Sequence, residues 1–113
     1  MSTKCYAKHL YYEKDYQACW CNAKGGQMEY VLPDKARVDC LLPDMAVEFD
    51  FAPKWAECIG QALYYGQMTN KVPACVLIME NKKKDCKYLN RLKEATKNIS
   101  GFIIKTLEPS QLK

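Results

Sequence analysis

Asp39, Glu48 and Asp50 carry the clearest chemical potential in this chain, and Lys54, Gln61 and Tyr65 follow closely behind them. Asp39 lies in the run RVDCLL, and Glu48 and Asp50 lie in MAVEFDF. Carboxylates on adjacent strands can share one hard divalent cation, because magnesium and manganese take oxygen ligands and are often held by one or two carboxylates with water and phosphate. An ion held in this way polarises a phosphodiester and lowers the pKa of a bound water, so the chemistry on offer is metal-dependent phosphodiester hydrolysis. A lysine on the next element would orient the water or stabilise charge on the phosphate, and a glutamine and a tyrosine would position substrate. The plain alternative for Asp39 is a strand residue paired with Arg37 or Lys35. Two acids on one strand face repel unless they are solvated or bound to a cation, so that face is either wet or a site.

These residues need strands and a helix to bring them together. Met45–Phe51 alternates, with Val47, Phe49 and Phe51 pointing one way and Ala46, Glu48 and Asp50 the other. Arg37–Leu42 is read as the strand before it, with Val38, Cys40 and Leu42 on one face and Asp39 on the opposite face. Pro43-Asp44 is the turn between them. Pro53 suits the first turn of a helix running to about Met68. At about 100° per residue, Lys54, Gln61 and Tyr65 fall within about 20° of one line. Trp55, Ile59, Ala62 and Leu63 share another arc that should face the sheet, and Tyr64 competes with Tyr65 for the polar stripe. Elsewhere the periodicity predicts a helix over about His9–Lys24 closed by Gly25-Gly26, a strand over Gln27–Leu32, and a doubly covered strand at Ala74–Met79. It also predicts a charged helix over Lys83–Asn98, with Tyr88, Leu89, Leu92, Ala95 and Ile99 inward, and a last strand over Phe102–Leu107. The tail after Pro109 reads as loose. Hairpin-linked strands come first and helical crossovers later, which implies an α/β domain with a mixed sheet and helices on both faces.

A chain of 113 residues, 49% hydrophobic and 27% charged, is ordinary for one globular domain. No apolar run approaches the ~20 residues that span a bilayer. The start, MSTKCYAKHLYY, has no signal-peptide core. The expectation is a cytoplasmic protein that does not enter a membrane, although a chain whose leader had been removed would read the same. The net charge of +4 suits a nucleic-acid partner without requiring one. Lys82, Lys83, Lys84, Lys87, Arg91, Lys93 and Lys97 read as the solvated face of a helix, with a phosphate-tracking face as the alternative. Cys5, Cys19, Cys21, Cys40, Cys58, Cys75 and Cys86 include no C-x2-C pair, so no structural zinc is expected. Those in apolar runs, Cys58 and Cys75, read as small hydrophobes. A Cys21–Cys40 disulfide is open if the protein is exported. His9, the sole histidine, reads as incidental.

The order helix–three strands–helix–strand–helix–strand, with Asp39 and Glu48-Phe49-Asp50, resembles the PD-(D/E)XK nuclease superfamily. Gln61-x-x-x-Tyr65 resembles the QxxxY motif of its RecB-type branch. Tyr16-Gln17, Trp20-Cys21, Arg37–Cys40 and Glu48–Tyr65 resemble small bacterial and phage-type members of poorly defined function. The resemblance runs from about Glu13 to Leu107. It implies a single domain over 1–113 (core about 9–107) with a restriction-endonuclease-like α-β-β-β-α-β-α-β core. It further implies a Mg2+- or Mn2+-dependent nuclease acting on DNA, with a homodimer as one form. By the same resemblance, Asp39 and Glu48 are the catalytic metal ligands, with Asp50 and Glu13 as further metal ligands and Glu29 or Asp15 as alternatives to Glu13. Lys54 is the catalytic lysine moved onto the helix, and Gln61 and Tyr65 position substrate. Asp50 stands where the signature has lysine. That departure implies the alternative of an inactive nuclease-fold module that binds nucleic acid or a protein partner.

Overall fold

A computed structural model describes residues 9–113, so Cys5 lies outside the described residues. The elements are α1 (Glu13–Ala23), β1 (Gln27–Val31), β2 (Arg37–Leu41), β3 (Met45–Phe51), a 3-10 turn (Ala52–Lys54), α2 (Trp55–Thr69), β4 (Val72–Ile78), α3 (Lys82–Thr96), β5 (Ile103–Leu107) and a closing 3-10 turn (Pro109–Leu112). One five-stranded sheet has the order β1-β2-β3-β4-β5. The first three strands form an antiparallel meander, and β4 and β5 add in parallel. The parallel steps need crossovers, which α2 and α3 supply.

The helices cover both faces, as expected. Tyr16, Trp20 and Cys21 of α1 pack with Cys40, Val47, Phe49, Val76 and Ile78. Cys58 and Ala62 of α2 and Leu92 of α3 pack on the other face with Cys75 and Leu77. The apolar run of β4 is therefore buried on both sides.

Several expectations are corrected. Helix α1 starts at Glu13 rather than His9, because the Asp15 carboxylate accepts from the Tyr12 amide (3.0 Å) and fixes the first turn there. Ahead of it, Glu80 holds the chain, accepting from the Leu10 amide (2.9 Å) and pairing with His9 Nδ1 (2.7 Å). His9 also stacks on Phe51 with ring centroids 3.6 Å apart, so it is not incidental. The tail is not loose: Pro109–Leu112 forms a turn whose Leu112 packs on the α1 face, and the Cys19 thiol donates to Gln111 O (3.5 Å). On α2, Cys58, Ala62, Tyr65 and Gly66 are buried whereas Leu63 is exposed, so the sheet-facing arc is rotated from the expected one. On α3, Ala95 is exposed and Thr96 is buried, its hydroxyl donating to Leu92 O (2.8 Å).

The largest correction concerns β2. Val38 packs with Ala46 and Tyr65 on the α2 face, while Cys40 packs on the α1 face. Met28 and Tyr30 of β1 divide in the same way. The alternation breaks at Glu29, which has φ 55°. A left-handed non-glycine residue reverses the pleat, and such strain gathers at functional sites. Here it lies in the ladder between the pairs Met28↔Cys40 and Tyr30↔Val38, level with Asp39.

The Cys21–Cys40 disulfide is formed and ties α1 to β2. Gly26 lies against it: a Cβ there would come 2.6 Å from Cys40 Sγ and 2.8 Å from Cys21 Sγ.

Candidate active site

The pleat break at Glu29 has a counterpart between β2 and β3. Their register holds only at Cys40↔Val47 and Leu41↔Ala46. Beyond it the Asp39 carboxylate takes the place of a ladder carbonyl, with Oδ2 accepting from the Phe49 amide (2.8 Å). Asp39 is thereby aimed at β3 rather than at Arg37, whose guanidinium instead lies 3.7 Å from Glu29. The other two acids stand on β3 itself, at alternate positions that the parallel pairing with β4 makes rigid.

The structure brings Asp39, Glu48 and Asp50 together at this fork. Glu48 is 3% exposed and Asp50 5%. Burial drives the Glu48 carboxyl far above its ordinary range, and the charges of Asp39 and Asp50 drive it further. Asp39 is raised to about 6, chiefly by burial, with the Phe49 amide and Glu48 opposing and Glu13 and Glu29 adding. Asp50 is raised to about 7, again chiefly by burial, with Glu48 opposing and the charges of Glu13, Asp39 and Glu57 adding. Burial and mutual repulsion thus disfavour the charged form of all three acids. Glu13 joins them electrostatically from the start of α1. Its own carboxyl is raised by burial, with the Gln17 hydrogen bond and the Lys54 charge opposing. Asp15, by contrast, is spent on the Tyr12 amide.

Lys54 ends the 3-10 turn after β3 and is exposed, with its charge felt by Glu13. Tyr65 turns inward and is 7% exposed, and its hydroxyl donates to Gln61 Oε1 (3.0 Å). Burial and the neighbouring Glu48 and Asp39 charges raise its phenol. Tyr64 faces outward, its hydroxyl donating to Asp34. Because the Gln61 oxygen is occupied, its amide N–H groups remain to donate at the surface. Cys58 lies beneath the site, its buried thiol donating to Glu48 O (3.5 Å).

Three buried side-chain atoms lack a partner among the described residues: Glu48 Oε1, Asp50 Oδ2 and Gln17 Oε1. All three are oxygens able to accept, and buried polar atoms are rarely left unpaired. Orphaned hard oxygens beside other carboxylates fit Mg2+ or Mn2+ as a ligand set. The ion-free carboxylates are not already spread as a cage: among the described residues no three His, Cys, Asp or Glu side chains are spaced to hold a metal ion.

Gln17 was not singled out from the sequence as a functional residue. Its signal there is a polar side chain among Tyr16, Trp20 and Cys21, one turn after Glu13. An open cleft of about 540 Å3 is lined by His9, Leu10, Tyr11, Tyr12, Glu13, Asp15 and Phe51, so Glu13 borders it while Asp39, Glu48 and Asp50 do not. No family model matches the chain, and neither a curated protein nor a solved structure matches it. None of the helices among the described residues is long and apolar enough to cross a membrane.

Proposed function

We propose that this protein is a metal-dependent nuclease with a restriction-endonuclease-like core, cleaving phosphodiester bonds of DNA. One observation carries the reading: acids from β2 and β3 meet where the two strands part, Glu48 and Asp50 buried and Asp39 half-buried, with oxygens of Glu48 and Asp50 left without partners. Burying like charges is costly unless protons or a cation compensate. Asp39, Glu48 and Asp50, with Glu13, are the residues that would hold Mg2+ or Mn2+. Such an ion supplies charge stabilisation at the phosphoryl oxygen and a more acidic water. The chain's own residues do the rest. The Phe49 amide fixes Asp39, Lys54 offsets negative charge growing on the phosphate, and Gln61, its oxygen held by Tyr65, donates N–H groups to the backbone of the substrate. The exposed lysines of α3 and Arg91 offer a face for tracking phosphates. A Cys21–Cys40 bond favours an oxidising compartment over the cytosol.

The test is cleavage of supercoiled, linear and single-stranded DNA with Mg2+ or Mn2+. Wild type should cut, and Asp39→Asn should not while melting cooperatively. Asp50 in the lysine position favours the second reading, an inactive fold that binds nucleic acid or a protein. Under that reading wild type binds DNA without cutting, and Asp39→Ala binds equally well.

A further inference from the structure

Cys21 and Cys40 are both fully buried, and their bond joins α1 to β2. Cys40 pairs with Met28 of β1 on one side and with Val47 of β3 on the other. Asp39, the next residue toward the fork, pairs with neither strand: the β1 ladder resumes at Tyr30↔Val38, and the β3 ladder ends at Cys40. Cys40 is thus the last residue before Asp39 that the sheet holds from both sides. Asp39 itself is held by that anchored neighbour and by its own bond to the Phe49 amide (2.8 Å). The sulfurs have no slack around them. The Gly26 amide donates to Cys21 O (2.9 Å), and a Cβ on Gly26 would come 2.6 Å from one sulfur and 2.8 Å from the other. Two thiols fill more space than a bonded pair, so reduction crowds a packed site. The backbone at Asp39, unpaired on both sides, is the part able to yield.

We propose that the Cys21–Cys40 bond is a redox switch for the position of Asp39, and through it for the cation site. Oxidised, it holds Asp39 against β3; reduced, it lets β2 shift and Asp39 leave the Phe49 amide. The reducing step is thiol–disulfide exchange: a dithiol reductant hands over two electrons and two protons, Cys21 and Cys40 become thiols, and the reductant closes into its own disulfide. A low-molecular-weight disulfide reverses the step, taking up the two electrons and two protons as its sulfurs leave as thiols. The control of Asp39 stands without the metal-dependent reading, and only its consequence for ion binding and cleavage rests on that reading. Such a device suits a nuclease, which stays idle in a reducing cytosol and becomes competent in an oxidising compartment.

The experiment compares the intact protein as oxidised, after reduction with dithiothreitol and its removal under argon, and after reoxidation with oxidised glutathione. One readout is hydrogen exchange at the Phe49 amide by NMR, with the Val76 and Leu77 amides of β4 as controls. The other is calorimetric titration with MnCl2. Reduction should speed exchange at Phe49 about tenfold or more while the β4 amides keep their protection. It should weaken Mn2+ binding about tenfold or more, and reoxidation should restore both. The Cys21→Ala/Cys40→Ala double variant should match the reduced protein. Unchanged exchange at Phe49 on reduction overturns the inference. A reduced protein that unfolds overturns it too, since the bond would then be a staple for the whole domain. Equal Mn2+ affinity in both states would overturn control of the ion. Oxidised protein that binds no Mn2+ while its Phe49 amide responds would sink the metal reading and leave the switch at Asp39 standing.

Discussion

Replacing Asp50 by asparagine should strengthen the ion-free fold while abolishing ion binding and cleavage. Three acids share the fork, Glu48 and Asp50 buried and Asp39 half-buried. Asp50 is raised from 3.8 to about 7 and Asp39 from 3.8 to about 6. At about 1.4 kcal/mol for each tenfold step, ionising Asp50 costs the fold about 4 kcal/mol at the most. Water reaching the parted strands and the sharing of protons with Glu48 reduce this, so about 2 kcal/mol is the working figure. An asparagine at position 50 has nearly the volume of aspartate, carries no charge, and offers N–H donors to Glu48, so the cost of a buried charge at that position disappears. At about pH 8, in EDTA, Asp50→Asn should therefore be more stable by about 2 kcal/mol, a rise of roughly 8 °C in Tm for a chain of this size. The assay is thermal melting followed by circular dichroism with and without Mn2+. Wild type should gain stability from the ion, and the variant should gain none. An Asp50→Asn protein that melts well below wild type in EDTA would refute this, since the aspartate would then be a net structural asset rather than a charge awaiting a cation.

Three further outcomes follow from the same structure. Asp39 and Asp50 have raised values in the folded state, so their contribution is complete below about pH 4 and is lost as pH rises through about 6 and about 7. Urea denaturation in EDTA should thus show falling stability between about pH 5 and pH 8, and saturating Mn2+ should flatten that slope. Gly26→Ala should destabilise by about 1–3 kcal/mol, because its methyl group would overlap both disulfide sulfurs, and an unchanged denaturation midpoint would contradict that packing. Lys54→Met should lower the cleavage rate about 100-fold while Mn2+ affinity stays within about twofold, since its exposed ammonium acts on the substrate rather than on the ion site. Equal losses in both measurements would place Lys54 with the ion instead.

The sequence made β3 fully legible. Pro43 and Pro53 punctuate its two ends, and strict alternation between them places Glu48 and Asp50 on one face. The neighbouring β2 was legible as a strand but not in its facing. Glu29 looks like any strand residue, and nothing in MEYV announces a left-handed conformation that turns the pleat over and sends Val38 and Cys40 to opposite faces. Helical arithmetic put Ala62 on the inner side of α2 but misplaced Leu63, which is exposed, and Tyr65, which is buried. It could not say which stripe meets the sheet, and the small Cys58, Ala62 and Gly66 let the helix approach closely where the bulkier Leu63 was expected. The start of α1 was hidden because Glu80, far along the chain, holds His9 and Leu10 out of the helix. Gln17 escaped notice because an isolated glutamine carries no signal until its burial and its unpaired oxygen are seen. Strand period placed Glu48 beside Asp50, but the aim of Asp39 at β3 was hidden in the pleat break, and Lys54 falls in the 3-10 turn ahead of α2 rather than on the helix.

The central claim is that the fork between β2 and β3 holds a divalent cation. Anomalous scattering from crystals soaked in Mn2+ tests it most directly. The account predicts a peak bonded at about 2.2 Å to Glu48 Oε1 and Asp50 Oδ2. A well-ordered fork with no anomalous peak, at a Mn2+ concentration that occupies other sites in the same crystal, would contradict it.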